Sequence, residues 1–311
     1  MRAKSHGARS APVTASGPRR TRSVGGTCHE GTLNPRKLQQ VFSAAAAAAL
    51  LLCARDARAD EPLRASGTGT ALGAMRRLAA AFEQAGPDRL GLLSSIGSSG
   101  AIHAVARGAL DFGFLGRELD ARERALGLVA FPYARTPFVF VAGPRSGVSG
   151  ITAAEAARIY SGELATWPGG ERVRLVLRPR MDADTAILRA ISTEMAAAVD
   201  RAYGREGLVM AATNQECNEL VVKTPGGFGP SSLTQILAEE FPLRPLAWEG
   251  VAPTLANLAS GAYPLSKTLW IVVRPSPRPA VRRFLAFLAS PRARQLLEEA
   301  GNLPLELPAV D

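Results

Sequence analysis

The sequence predicts an α/β protein in which mostly parallel sheets are flanked by helices, and three runs carry that expectation. Ile96 to Leu119 (IGSSGAIHAVARGALDFGFLGREL) reads as a tight Gly/Ser turn, an amphipathic helix and a short buried strand. Arg64 to Phe82 (RASGTGTALGAMRRLAAAF) repeats the design as strand, Gly/Thr turn and helix. Gly261 to Pro275 (GAYPLSKTLWIVVRP) is a turn leading into an apolar strand. Alternating strands and helices favour parallel pairing, with the helices covering the sheet faces.

In chain order, strands are expected near 63–66, 90–95, 111–115, 127–131 and 137–142, with helices near 71–85 and 99–108. Ser98-Ser99-Gly100 opens the second helix. Capping hydroxyls, free first-turn amides and the positive helix end together suit an anion there. Pro132 and Pro137 suit segments that bound a strand rather than its centre. Ile151 to Gly162 starts with Thr152 and Glu155, the spacing of a capping box. A strand near 172–178 and a single helix over 184–199 follow. Gly226 to Leu233 (GGFGPSSL) is a Gly-rich turn and strand, with a helix from Ser231. RPLAW (244–248) and LWIVVRP (269–275) read as strands. Pro279 to Ala289 and Pro291 to Ala300 are terminal helices, each with proline near its start.

The chain has 311 residues and a net charge of +10, which invites a nucleic-acid reading that the charge distribution removes. Residues 1–59 hold ten Lys/Arg against two acids, leaving only +2 on residues 60–311. A basic groove belongs in the folded part, and this excess does not lie there. Arg36-Lys37, an apolar run from Val41 to Cys53 and Ala57-Arg58-Ala59 instead form the pattern of a secretory signal peptide. The run is short for a membrane span, which needs about 20 residues. A lipid anchor at Cys53 fits poorly after the bulky Leu52. Removal of this leader, residues 1–59, takes Cys28, Cys53, His6 and His29 with it. Cys217 and His103 remain, so no intramolecular disulfide, thiolate metal cluster or histidine-rich metal centre is expected. Ser-His and Cys-His catalysis are disfavoured for the same reason. His103 is expected on the side of its helix as a surface residue.

IGSSG followed by DFG, the SGTGT opening and YPLSK before an apolar strand resemble, in order and spacing, the phosphate-binding protein family of bacterial ABC importers. The resemblance runs from about residue 62 to 305. It implies a two-lobed periplasmic-binding-protein fold of type II, each lobe a mostly parallel sheet flanked by helices, with the ligand in the cleft between lobes. Lobe one would be residues 60–142 plus 249–311 and lobe two residues 143–248, with crossovers in PYARTPFVFVAG and YPLSKTLWIVV. It further implies a periplasmic, monomeric, non-enzymatic receptor with no cofactor and no metal. Such a receptor would capture an inorganic oxyanion, phosphate foremost, for the transmembrane subunits of an ABC permease.

Three turns are expected at the cleft. Thr68, Gly69 and Thr70 offer close backbone approach and hydroxyls. Ser98, Ser99 and Gly100 form the second turn. The resemblance places the third at Arg178 to Thr185, where the family carries an arginine before a GSGT turn. Arg178 or Arg180 would supply a guanidinium fork for a tetrahedral oxyanion, and Thr185 aligns with the family threonine. Asp182-Ala183-Asp184 replaces Gly-Ser-Gly. These acids, Asp182 and Asp184, serve as helix-start caps, as partners of Arg178 or Arg180, as a cation site, or as direct contacts to a cationic or hydroxyl-bearing ligand. After the DFG strand, Leu115-Gly116-Arg117-Glu118 lacks the acidic acceptor common in the family but keeps an arginine. Arg117 either binds the anion or pairs with Glu118 or Asp120. Ser231 and Ser232 are further candidates for the cleft mouth. Trp167, Trp248 and Trp270 are too scattered for a sugar-stacking platform. Two other functions stay open: a sensory receptor for a different small ligand, and a metal-dependent phosphohydrolase built on Asp182 and Asp184.

Overall fold

A computed structural model of the chain describes residues 61–308. The leader, with its apolar run, cleavage signal, two cysteines and two histidines, lies outside the described residues. Among those described, no helix is long and apolar enough to cross a membrane.

The chain begins with β1 (Leu63–Gly67), α1 (Gly69–Ala85), β2 (Leu90–Leu92), α2 (Gly97–Ala106) and β3 (Phe112–Leu115). A short helix α3 (Ala121–Arg124) leads into the long β4 (Val129–Ala142). Then come β5 (Gly150–Ile151), α4 (Ala153–Ser161), β6 (Arg174–Leu177), α5 (Ala183–Ile191), α6 (Thr193–Ala202) and β7 (Val209–Met210). They are followed by α7 (Asn214–Lys223), β8 (Gly227–Ser232), α8 (Leu233–Ala238), β9 (Arg244–Pro245) and β10 (Ala247–Trp248). The chain closes with α9 (Leu255–Ser260), β11 (Ser266–Val273), α10 (Pro279–Leu288), α11 (Pro291–Glu299) and β12 (Leu303–Pro304).

The main sheet runs β2-β1-β3-β11-β4-β8-β6-β7, with β9 and β12 also paired to β4. β1 is parallel to β2 and β3, and β6 is parallel to β7 and β8. β11 and β4 run antiparallel to their neighbours at the centre. Apolar residues collect into two large cores. One gathers β1, β3, α1, α10 and α11, where Phe284 stacks on Phe112 at 4.8 Å and meets Phe82 edge-on at 5.3 Å. The other gathers β6, β8, α4 and α6, where Phe140 lies between Phe228 and Trp248 at 5.4 Å from each. β4 serves both. Its Phe131, Tyr133 and Ala134 belong to the first core, and its Phe138 to Ala142 to the second.

β4 departs from the expected pair of strands, because it runs unbroken through Pro132 and Pro137. Both prolines sit where the ladder tolerates a missing N–H. The β4–β11 register shifts between Leu269 and Trp270, opposite Pro132. Pro137 faces Ser266 at the end of β11, and the next residue, Phe138, already pairs with Ser232 of β8. The single helix expected over 184–199 is two helices. Ser192 is extended (φ −164°, ψ 164°), and its hydroxyl accepts a hydrogen bond from Met195 N to cap α6. The Thr152–Glu155 capping box forms as expected, and both terminal helices begin at their prolines.

The turn after β1 is pressed against β3. Thr68 N donates to Phe114 O at 2.8 Å, and a Cβ at Gly67 would stand 1.8 Å from that same oxygen. Gly67→Ala is therefore expected to destabilise the fold by about 3 kcal/mol. The midpoint of urea unfolding reads this directly, and an unchanged midpoint would show that β1 and β3 are free to separate.

Candidate functional site

A cleft of about 400 Å³ opens where the starts of α1 and α2 face the loop that enters α5. Thr68, Gly69, Ser98, Ser99, Gly100, Arg117 and Arg178 line it, so seven of the sequence-derived candidates come together. Thr70, Asp184 and Thr185 are buried and outside the lining. Arg180 also lies outside it: the guanidinium covers the Tyr203 ring at 4.1 Å and sits 3.7 Å from Asp200. Ser231 and Ser232 are buried on β8, away from the cleft wall.

Two helices reach the cleft without a side-chain cap. The N-cap residues are Thr68 for α1 and Ile96 for α2, and neither side chain bonds a first-turn amide. The N-cap of α2, Ile96, lies two residues before the serine expected to cap it. Ser98 Oγ instead accepts from Gly116 N at 3.0 Å, tying the turn to the end of β3. Ser66 and Ser95 complete the stitching: Ser66 Oγ donates to Ser94 O at 2.7 Å, and Ser95 Oγ to Gly67 O at 2.9 Å. These contacts fix two sets of free amides at one wall, the arrangement that favours an anion.

Arg117 reaches the same wall but is already engaged. It donates to both oxygens of Glu123 at 2.6 and 2.7 Å, to Ser99 Oγ at 2.8 Å and to Glu118 O at 3.0 Å. Its ion-pair partner is thus Glu123 rather than Glu118 or Asp120. Glu123 also accepts from Asp120 N in a capping box over α3. The Arg117 hydrogen bonds hold the Glu123 carboxyl below its usual range. Its stabilising contribution is present at neutral pH and lost as the pH falls through that lowered value.

The opposite wall is a chain of charges. Arg178, at the end of β6, is only 3% exposed. Its Nη1 donates to Ala211 O at 2.6 Å and its Nη2 to Asp182 Oδ2 at 2.8 Å. Its Nε makes no hydrogen bond and lies 3.8 Å from Asp184 Oδ2. Asp182 caps α5 through Asp184 N at 2.9 Å. Asp184 is fully buried, accepts from Asn214 Nδ2 at 2.6 Å and forms an ion pair with Lys267. Lys267 Nζ also donates to Thr70 Oγ1 at 3.0 Å, which links β11, α1 and α5 at the cleft floor. Thr185 Oγ1 donates to Pro179 O at 2.9 Å, and Tyr203 Oη to Arg178 O at 2.6 Å, so both brace the loop that carries Arg178.

Sequence reasoning did not select Lys267, Asn214, Ser95 or Gly97, though all four line the cleft. Lys267 stands in the YPLSK motif, and its apolar neighbours Leu269 and Ile271 at alternate positions were the available signal that its side chain points inward. Both aspartates are committed to the chain's own cations, and among the described residues no group of three His, Cys, Asp or Glu could hold a metal ion. Cys217 is buried, and burial pushes its thiol up to about 12. His103 is exposed on α2.

Residues 52–292 match the family model of the PBP superfamily domain. The phosphate-binding protein PstS of Bacillus subtilis (strain 168) is 25% identical over 262 residues, covering 80% of this chain and 84% of that protein. A substrate-binding protein from Clostridium perfringens, solved with bound phosphate, superposes with a TM-score of 0.68 at 18% identity, over 79% of this chain and all of that one. An ABC-type phosphate transport receptor from Vibrio cholerae gives 0.56 at 20% identity, over 78% of this chain and 99% of that one. These structures share the two-lobed α/β fold.

Removing one partner of a buried ion pair strands the other's charge. Asp184→Ala is expected to cost about 3–5 kcal/mol of stability. Adding Lys267→Met to that variant should recover a large part of the loss. Urea unfolding of the single and double variants checks this, and a double variant no more stable than the single one would refute it.

Proposed function

The chain belongs to the PBP superfamily, and we propose that it is an extracytoplasmic receptor that captures phosphate in the cleft and delivers it to an ABC permease. The observation that carries this reading is the pair of uncapped helix starts, α1 and α2, set against the buried guanidinium of Arg178. The amides of Gly69, Ser98 and Ser99 and the hydroxyl of Thr68 would hold the oxygens of a dehydrated tetrahedral anion from one wall, and Arg178 from the other. The phosphate-binding relative from Bacillus subtilis, matched over most of both chains, supports the choice of anion.

No bond in the ligand changes in this reading, because capture and release suffice. The lobes proposed to close on the anion are residues 60–142 with 249–311, and residues 143–248. The crossover in β4 would act as part of the hinge. The permease would distinguish the closed, loaded receptor from the open one. Export by the N-terminal signal peptide and action as a monomer complete the proposal.

Calorimetric titration of the purified protein, stripped of bound ligand, tests the reading. Phosphate is expected to bind, and Arg178→Ala to weaken that binding by about 100-fold or more, the loss typical of a desolvated charge-assisted contact. Well-folded protein that takes up neither phosphate nor sulfate would remove the oxyanion reading.

A further inference from the structure

Two successive residues after β3 donate to two successive serines at the start of α2. Gly116 N donates to Ser98 Oγ at 3.0 Å, and Arg117 Nη2 donates to Ser99 Oγ at 2.8 Å. A serine hydroxyl has one hydrogen to give, and a donor held at its oxygen turns that hydrogen away from itself. Among the described residues, no acceptor of the chain takes the hydrogen of either hydroxyl. Ser98 and Ser99 both line the cleft, so both hydrogens are available to a ligand there. Ser98 is oriented by a backbone amide. Ser99 is oriented by a single guanidinium.

That guanidinium is engaged at both terminal nitrogens. Nη1 donates to Glu123 Oε2 at 2.6 Å and to Glu118 O at 3.0 Å, while Nη2 donates to Glu123 Oε1 at 2.7 Å as well as to Ser99. These four bonds match the four terminal N–H groups and leave Nε–H as the remaining donor. The Glu123 side chain, only 8% exposed, is itself held by Asp120 N at 2.9 Å in the α3 capping box. The fork is therefore anchored from behind, and its charge is compensated before any ligand arrives. We propose that Arg117 is a positioning residue of the cleft and not a contact to the anion: anchored by Glu123, it fixes Ser99 as a hydrogen-bond donor to the entering oxyanion. The inference rests on the oxyanion reading given above. Without the guanidinium, the Ser99 side chain and its hydroxyl are free to turn among their staggered orientations, and binding has to select one of them. With it, that selection is made in advance, which raises affinity without adding a contact to the ligand.

A mutant cycle tests this by calorimetric titration of phosphate into four proteins stripped of bound ligand. They are the wild type, Ser99→Ala, the paired variant Arg117→Met with Glu123→Gln, and the combination of all three replacements. The paired variant keeps the net charge of the wall, and glutamine can still accept from Asp120 N at the start of α3. Ser99→Ala is expected to bind about tenfold more weakly, the loss of one hydrogen bond to a charged oxygen. The paired variant is expected to bind about threefold more weakly or worse, the cost of selecting one of three staggered orientations. The combined variant is expected to bind no more weakly than Ser99→Ala alone. A paired variant or a Ser99→Ala protein that binds like the wild type overturns the proposal. So does a combined variant weaker than Ser99→Ala by the factor that separates the paired variant from the wild type, because Arg117 then acts without Ser99. If urea unfolding shows the paired variant to be unfolded, Arg117→Lys replaces it in the cycle. Lysine keeps the charge but lacks the fork that reaches Glu123 and Ser99 together, so the same dependence on Ser99 is expected. No phosphate binding by the wild type overturns the oxyanion reading and this proposal with it.

Discussion

Asp184 is a carboxylate without any exposed surface, on a helix of the second half of the chain, and its cation comes from β11. Left alone, such a charge would cost several kcal/mol, so its surroundings cannot drift. Lys267 must stay on the inward face of β11, Thr70 in the first turn of α1, and Asn214 at the first position of α7. Arg178 completes the ring with Nε at 3.8 Å. Four secondary-structure ends are therefore held at one point, and the cleft floor inherits its shape from their common carboxylate. The Gln215 side chain adds a neutral tie from α7, donating to Gly69 O at 2.9 Å and to Glu239 at 2.8 Å.

One wall of the cleft offers dipoles and the other offers charges that are already compensated. The α1 and α2 starts keep their amides free, while α5 and α7 are capped by Asp182 and Thr213. Fixed backbone dipoles need no rearrangement when an anion arrives. The wall made by Gly69, Ser98 and Ser99 thus presents its dipoles in a fixed geometry, whereas the wall made by Arg178 and Asp182 presents a charge pair.

Local signals were legible in the sequence and distant pairings were not. The Thr152 capping box and the proline-started terminal helices rest on residues within one turn of each other, and each lies where its residues place it, whereas Ser98 to Gly100 fall inside α2 and Ser98 bonds Gly116 N instead of capping the helix. Asp182 reads as a helix cap and is one. Asp184 carries the same local signal, yet its partners are 30 and 83 residues away, at Asn214 and Lys267, and no window of sequence displays that pairing. Arg180 and Arg178 look equivalent as anion-binding arginines. They part because Asp200 of α6 and Tyr203 just after it take up Arg180, while Ala211 O and Asp182 hold Arg178. The prolines of β4 signalled a break, which Tyr133 of β4, left out of the β11 pairing, absorbs beside Pro132 and the end of the β11 pairing at Ser266 absorbs at Pro137.

The continuity of β4 and β11 has a consequence for how the chain reaches its native state. β3 ends beside a strand that arrives about half the chain later, since Leu115 pairs with Trp270. The first core also takes Phe284 and Leu297 from the last helices. Everything from β5 to β10 must therefore be looped out before that core can close. Closing so long a loop precedes the contacts that reward it, which makes folding slow relative to a chain of local contacts. The interval before β11 docks leaves the apolar faces of β1, β3 and α1 uncovered, a state in which association with other chains competes with completion of the fold.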